Sequence, residues 1–243
     1  MGVISIIAEW LFPVECVICK KSDKWLCKEC YKDIEFLPLN KCPFCKSFSF
    51  LSKTCKKCVA IEQNKLDGVF SYSSYKNLKL KKVIHSYKYS YITDLKYPLF
   101  RLLEHILKNI EKGQAIGNLS KIIDEKTLFF YVPLHNIKLR TRGFNQAELL
   151  LEELVKNKIV TEKQAEYKDF LKRIKNTLPQ AKLKKEEKTK NLKDAFSYKG
   201  PLLKNKNVIL IDDVATTGST LNECAKILKS VGAKKVYGMV IAR

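Results

Sequence analysis

The chain has 243 residues, 46% of them hydrophobic, and sets 46 basic side chains against 25 acidic ones for a net charge of +21. That length and apolar content support one α/β domain of ordinary size with a small appendage, and they exclude a disordered or fibrous chain. The charge points to a polyanionic partner, nucleic acid first. The lysine excess of AT-rich coding sequence would give the same charge without a partner, and only five of the basic residues are arginines.

Residues 2–12 are apolar but interrupted by Glu9, with no basic flank before them. They are too short to span a bilayer and lack the form of a signal peptide. An amphipathic helix docked on the rest of the chain is the expectation, and with it a cytoplasmic protein that does not insert into a membrane. Eight of the nine cysteines follow, as the pairs Cys16/Cys19, Cys27/Cys30, Cys42/Cys45 and Cys55/Cys58. Two thiolates three residues apart reach one tetrahedral ion, and two such pairs complete a Cys₄ zinc site. Four pairs therefore predict two structural zinc ions with no open coordination position. Sequential pairing, Cys16–Cys30 and Cys42–Cys58, suits the short gaps; a cross-braced arrangement would mix the pairs. A disulfide framework is the weaker reading without an export signal. The expected division is a helix and zinc ribbon over 1–64 and a larger domain over 65–243.

In the middle of the chain, 66–72 reads as a strand. Residues 76–88 read as a helix with Leu80, Val83, Ile84 and Tyr87 on one face. The mixture Tyr87-Lys88-Tyr89-Ser90-Tyr91 makes Lys88, Tyr89 and Tyr91 candidates for stacking bases beside phosphates; tyrosines packed under a helix end explain it equally. A helix is expected over 95–110 and a surface loop over 113–118. The strand 128–132 runs into a loop holding His135, Lys138, Arg140 and Arg142, then a helix with Leu149, Leu150 and Leu154 aligned. Three cations within five residues can bind pyrophosphate. His135 is a general-acid candidate or a plain loop histidine. A third strand is expected over 170–173. The lysine-rich segment 182–193, with Lys184, Lys185 and Lys188, reads as a solvated loop able to close over an anion or contact nucleic acid.

The C-terminal part is organised by Val208-Ile209-Leu210-Ile211-Asp212-Asp213-Val214-Ala215-Thr216-Thr217-Gly218-Ser219-Thr220. Four aliphatic residues predict a strand buried in a parallel sheet and ending at two carboxylates. Leu221, Cys224, Ala225 and Leu228 then fall on one helical face, with Cys224 a core residue. A hydroxyl-rich loop entering a helix at the carboxyl end of a strand is a phosphate cradle. Asp212 and Asp213 cannot bind phosphate but can accept from two vicinal hydroxyls, as on a ribose. An acid-capped strand with no ligand is the plain alternative. A P-loop is excluded, because the chain contains no Gly-Lys pair. Residues 236–241 read as a last strand.

These thirteen residues resemble the phosphoribosyl pyrophosphate (PRPP) motif of type I phosphoribosyltransferases. The resemblance implies that Asp212 and Asp213 hold the ribose hydroxyls and that Ala215, Thr216, Thr217, Gly218 and Ser219 wrap the 5′-phosphate, with Val214 and Thr220 completing the PRPP-binding stretch. Over nearly its whole length the chain resembles the ComF family of competence proteins. The resemblance rests on the cysteine pairs, Val132-Pro133-Leu134-His135, residues 140–147, Pro179-Gln180, Asn191, Ala195-Phe196, the PRPP motif and Ile241-Ala242-Arg243. It implies a type I phosphoribosyltransferase fold, a mostly parallel sheet flanked by helices, behind a double zinc ribbon. It also implies a role in natural transformation, handling single-stranded DNA on the cytoplasmic side of the inner membrane, with a helicase-like competence protein as partner. Lys188 stands where the family has arginine three residues before Asn191, which keeps the charge and loses the bidentate grip. Two functions remain: a DNA-uptake factor that binds single-stranded DNA and PRPP, or a phosphoribosyltransferase in which Mg²⁺ bridges pyrophosphate and ribose and Arg140 and Arg142 stabilise the leaving group.

Overall fold

The computed structural model describes residues 13–37, 40–111, 123–177 and 192–243. The expected helix at 2–12, the loop at 113–118, and Pro179, Gln180, Lys184, Lys185, Lys188 and Asn191 lie outside them.

Strand β1 (Gly68–Ser73) opens the sheet, and β2 (Leu128–Tyr131), β5 (Asn207–Val214) and β6 (Lys235–Ala242) complete it in the order β1-β6-β5-β2, every pair parallel. Parallel neighbours need crossovers, and helices supply them. These are α3 (Leu78–Tyr89), α4 (Lys96–Glu111), α5 (Asn136–Arg142), α6 (Gln146–Lys156) and α7 (Ser219–Ser230). Side chains alternate between the sheet's faces. Phe129, Tyr131, Ile209, Ile211, Met239 and Ile241 pack on one side with α3, α4 and α6. Phe130, Val132, Val208, Leu210 and Val240 pack on the other with α7. Val208, Ile209, Leu210 and Ile211 are all fully buried, each worth about 1.5–3 kcal/mol of burial as an upper estimate.

A two-stranded antiparallel ribbon, β3 (Leu171–Arg173) with β4 (Phe196–Tyr198), sits on the α7 face. The sequence pattern shows β3; β4 is three residues long and carries no periodicity. Two further differences are physical. Pairing on β5 continues through Val214 opposite Ala242, so both aspartates lie inside the strand rather than after it. The cation-rich segment after β2 is the helix α5 rather than a loop. His135 caps its start by accepting from Ile137 N–H, and Gly143 ends it with φ +76°, a conformation that suits glycine.

The N-terminal cysteine region carries two short helices, α1 (Lys28–Lys32) and α2 (Lys56–Val59). It wraps the β1 edge in two places. Leu37 N–H donates to Tyr72 O, and the Tyr72 hydroxyl donates to Ile34 O. Farther along, Lys53 bridges to Gly68. A Cβ on Gly68 would sit 2.9 Å from Ser52 O, so only glycine admits this approach.

Candidate active site and cysteine clusters

Each cysteine group is formed by sequential pairs: Cys16, Cys19, Cys27 and Cys30 in one, Cys42, Cys45, Cys55 and Cys58 in the other, with all sulfurs of a group within 4.8 Å of one another. Cys19 and Cys27 sulfurs are 3.6 Å apart, as are those of Cys45 and Cys55. A disulfide would need about 2.05 Å; four sulfurs at about 2.3 Å around a tetrahedral zinc lie roughly 3.7 Å apart. Backbone N–H groups of Cys27 and Cys55 point at Cys16 and Cys42 sulfur. Cys30 and Cys58 are pushed up to about 12, by burial first and then by the sulfurs around them. Four crowded thiols that resist ionising together are relieved by a dication at their centre, so both groups fit structural zinc, with no position left for a substrate.

The PRPP-like motif follows from β5 running into α7. Alternation sends its two carboxylates to opposite faces. Asp213, 4% exposed, faces α3, where Lys88 Nζ lies 2.6 Å from its Oδ2. Burial alone would lower Lys88; Asp213 and then Asp212 outweigh it and hold the ammonium above the usual lysine range. Lys88 is therefore turned into the site and paired with Asp213, and this corrects its reading as a surface contact for nucleic acid. Asp212 faces the other way, is half-buried, and accepts from Asp213 N–H at 2.9 Å. Burial and then the Asp213 charge raise its carboxyl to about 8. Both carboxylates act on the one Lys88 ammonium, with which only Asp213 is directly paired.

Beyond the aspartates, Ala215 N–H donates to Ala242 O, and Thr217 Oγ1 and Ser219 Oγ lie 2.9 Å apart. Gly218 has φ +75° and leads directly into α7 without a side-chain cap. Ser219 N–H donates to Thr217 Oγ1 at 3.4 Å, and the positive end of the helix faces the loop. Asp212 and residues 214–221 enclose a hollow of about 30 Å³.

Across β5, Asn145 ties α6 to β2: its Nδ2 donates to Val132 O and its Oδ1 caps Ala147 N–H. Lys138 and Arg142, four residues apart on α5, share a face and are both half-buried, while Arg140 is exposed. Lys138 is held below the usual lysine range by burial, then by Arg173 and Arg142. Arg142 donates to Gln146 Oε1 at 2.6 Å and lies 5.2 Å above the Tyr89 ring. His135 Nδ1 is occupied as the helix cap. Tyr91, 64% exposed, donates to Thr141 O.

The sequence reading missed two residues. Arg173, at the end of β3, lies within electrostatic reach of both Asp212 and Lys138. It is one of the five arginines, so the scarcity that drew attention to Arg140 and Arg142 applied to it equally. Lys46 lies between Cys45 and Ser47, yet its ammonium donates to Thr216 O at 3.2 Å, 170 residues away. Nothing in the local pattern of a cysteine turn signals that contact.

Residues 104–243 match the phosphoribosyl transferase domain. The chain belongs to that family. Similarity to named proteins extends further. Competence protein F of Haemophilus influenzae is 29% identical over 96% of this chain and 98% of its own length. Competence protein ComFC of Streptococcus pneumoniae is 26% identical over 93% of this chain and 91% of its own. DNA utilization protein YhgH of Escherichia coli K12 is 29% identical over 68% and 67%. The ComF resemblance read from the cysteine pairs, the 140–147 run and the PRPP motif is therefore borne out, as is the phosphoribosyltransferase fold behind a cysteine-rich region. Among the described residues, no helix is long and apolar enough to cross a membrane.

Proposed function

We propose that this protein is a DNA-uptake factor of natural transformation that binds single-stranded DNA and PRPP. The observation that carries the PRPP reading is the β5–α7 junction: two adjacent carboxylates, Asp212 and Asp213, next to a left-handed Gly218 that enters α7 with no side-chain cap. The aspartates accept from the ribose hydroxyls, and residues 214–220 take the 5′-phosphate. Lys138 and Arg142, joined by Arg173, meet the pyrophosphate, with Arg140 on the exposed side of α5, and a Mg²⁺ ion bound with the substrate would neutralise part of its charge. His135 supports that segment through its cap. The DNA reading is supported by the net charge of +21 and by relatives whose names refer to competence and DNA utilization. Zinc in both cysteine groups is structural. The proposed location is the cytoplasmic face of the inner membrane, beside a helicase-like competence protein.

The convergence of Lys138, Arg142 and Arg173 also favours a second reading, a phosphoribosyltransferase. There the acceptor's lone pair bonds to C1 of PRPP as the C1–O bond breaks, and pyrophosphate leaves with the bonding pair, its charge met by these cations. Pyrophosphate release from Mg²⁺·PRPP, measured with single-stranded DNA and a panel of nucleobases and amines, tests both. Release that requires one acceptor and the two aspartates makes the protein a transferase. PRPP binding with salt-sensitive DNA binding and no release supports the uptake reading. Loss of neither on Asp212→Asn with Asp213→Asn removes the PRPP assignment.

A further inference from the structure

The strand order places the ends of β1 and β6 on the side of β5 away from β2 and α5. Over those ends lies a second hollow of about 520 Å³, separate from the pyrophosphate side and sharing only Thr216 with the 5′-phosphate loop. Three segments bring cations to it: Lys41 and Lys46 from the second cysteine group, Lys76 and Lys81 from the start of α3, and Arg243 after β6. Among the described residues, no Asp or Glu side chain lines it. Arg243 is buried, and its guanidinium is held by the carbonyls of Val69, Lys41 and Cys42, so this charge is fixed in place. Tyr75, half-buried, presents its ring to the hollow with Lys81 Nζ 5.7 Å from the centroid, and exposed Leu78 forms the rim.

A row of cations from separate segments beside one aromatic face is the pattern that tracks a phosphodiester backbone and stacks a base. It differs from a cage for a single phosphate, which needs converging backbone amides. We propose that this hollow is where single-stranded DNA binds, its phosphates on Lys41, Lys76 and Lys81 and one base against Tyr75. The inference rests on the DNA reading above and gives it a location. DNA then lies next to the PRPP loop and meets it at Thr216, whose carbonyl Lys46 holds.

The test uses the full chain with its metal and a fluorescent oligothymidylate, by anisotropy over a range of salt. Lys76→Gln with Lys81→Gln removes two charges at the hollow. Lys204→Gln with Lys234→Gln removes two exposed lysines at the opposite, amino end of the strands. The first pair is expected to weaken binding about tenfold and to flatten the slope of log K against log salt by about 1.4, at about 0.7 per lost phosphate contact. The second pair is expected to stay within about twofold. Tyr75→Leu should weaken binding and Tyr75→Phe should not. Thermal unfolding checks that each variant is folded. Equal losses from both lysine pairs, or no loss from the first, overturn the location while leaving DNA binding intact. A wild-type chain that binds no oligonucleotide overturns the DNA reading and this inference with it.

Discussion

Replacing Asp212 by Asn should stabilise the ligand-free protein at pH 8 and weaken its hold on PRPP. Burial and the Asp213 charge raise the Asp212 carboxyl to about 8, against about 3.9 in an unfolded chain. A carboxyl raised by folding binds its proton more tightly in the native state, so its contribution favours folding at low pH and is lost as pH rises from about 4 to about 8. About four units at about 1.4 kcal/mol each set an upper bound of roughly 6 kcal/mol. Asp212 is only half-buried and the Lys88 charge offsets part of the effect, so we expect about 1–3 kcal/mol. Urea unfolding at several pH values measures it. The variant's advantage should be near zero at pH 4, grow through pH 6 and level off above pH 8. PRPP affinity, measured by calorimetry at pH 8, should fall more than tenfold. An advantage that shrinks with rising pH, or a variant less stable at every pH, would refute the reasoning.

Lys88→Met should cost about 2 kcal/mol, below the 3–5 kcal/mol of a fully buried broken pair because Lys88 is 20% exposed. In a cycle with Asp213→Asn the two losses should be less than additive by 1 kcal/mol or more, and additivity would deny the pairing. Emission spectrometry should find two zinc ions per chain, one for each cysteine group, with Cys27→Ser retaining one. Retention of both would break the sequential grouping. Arg142→Ala should weaken pyrophosphate and PRPP binding about tenfold, whereas Arg140→Ala, on the exposed side of α5, should have less than half that effect; the reverse ranking would show that the α5 face has been misassigned.

The parallel sheet was legible because fully buried strands leave uninterrupted aliphatic runs, as at Val208–Ile211, and the phosphate loop because its residue types have few other uses together. The short gaps favoured the sequential grouping of cysteines over a cross-braced one, and the structure groups them that way. Other features lay beyond sequence reasoning. Arg140 and Arg142 look equivalent in a loop but part company on a helix, and the helix depends on His135 and Gly143 at its ends. Lys88 sits in an aromatic-basic run that suggests solvent, and only the packing of α3 against the sheet turns it to Asp213. β4 has too few residues to show a period. Arg173 and Lys46 act across the fold, and no local pattern carries that information.

The turn between Cys42 and Cys45 also props the donor loop. Lys46 holds Thr216 O, and Pro43 lies 3.8 Å from the position a Cβ would take on Gly218. A metal held by the second cysteine group would fix the shape of that turn. An ion that fixes one side of a loop and a ligand that fixes the other are thermodynamically linked, and the linkage runs both ways. Stripping a metal from that group by a chelator or an oxidant would therefore be expected to loosen the grip on a 5′-phosphate at the loop, and a bound 5′-phosphate would in turn slow escape of that ion. Each group has one exposed thiol, Cys19 or Cys45, but Cys55 is half-buried where its counterpart Cys27 is buried, which makes the second group the more open of the two to such an attack.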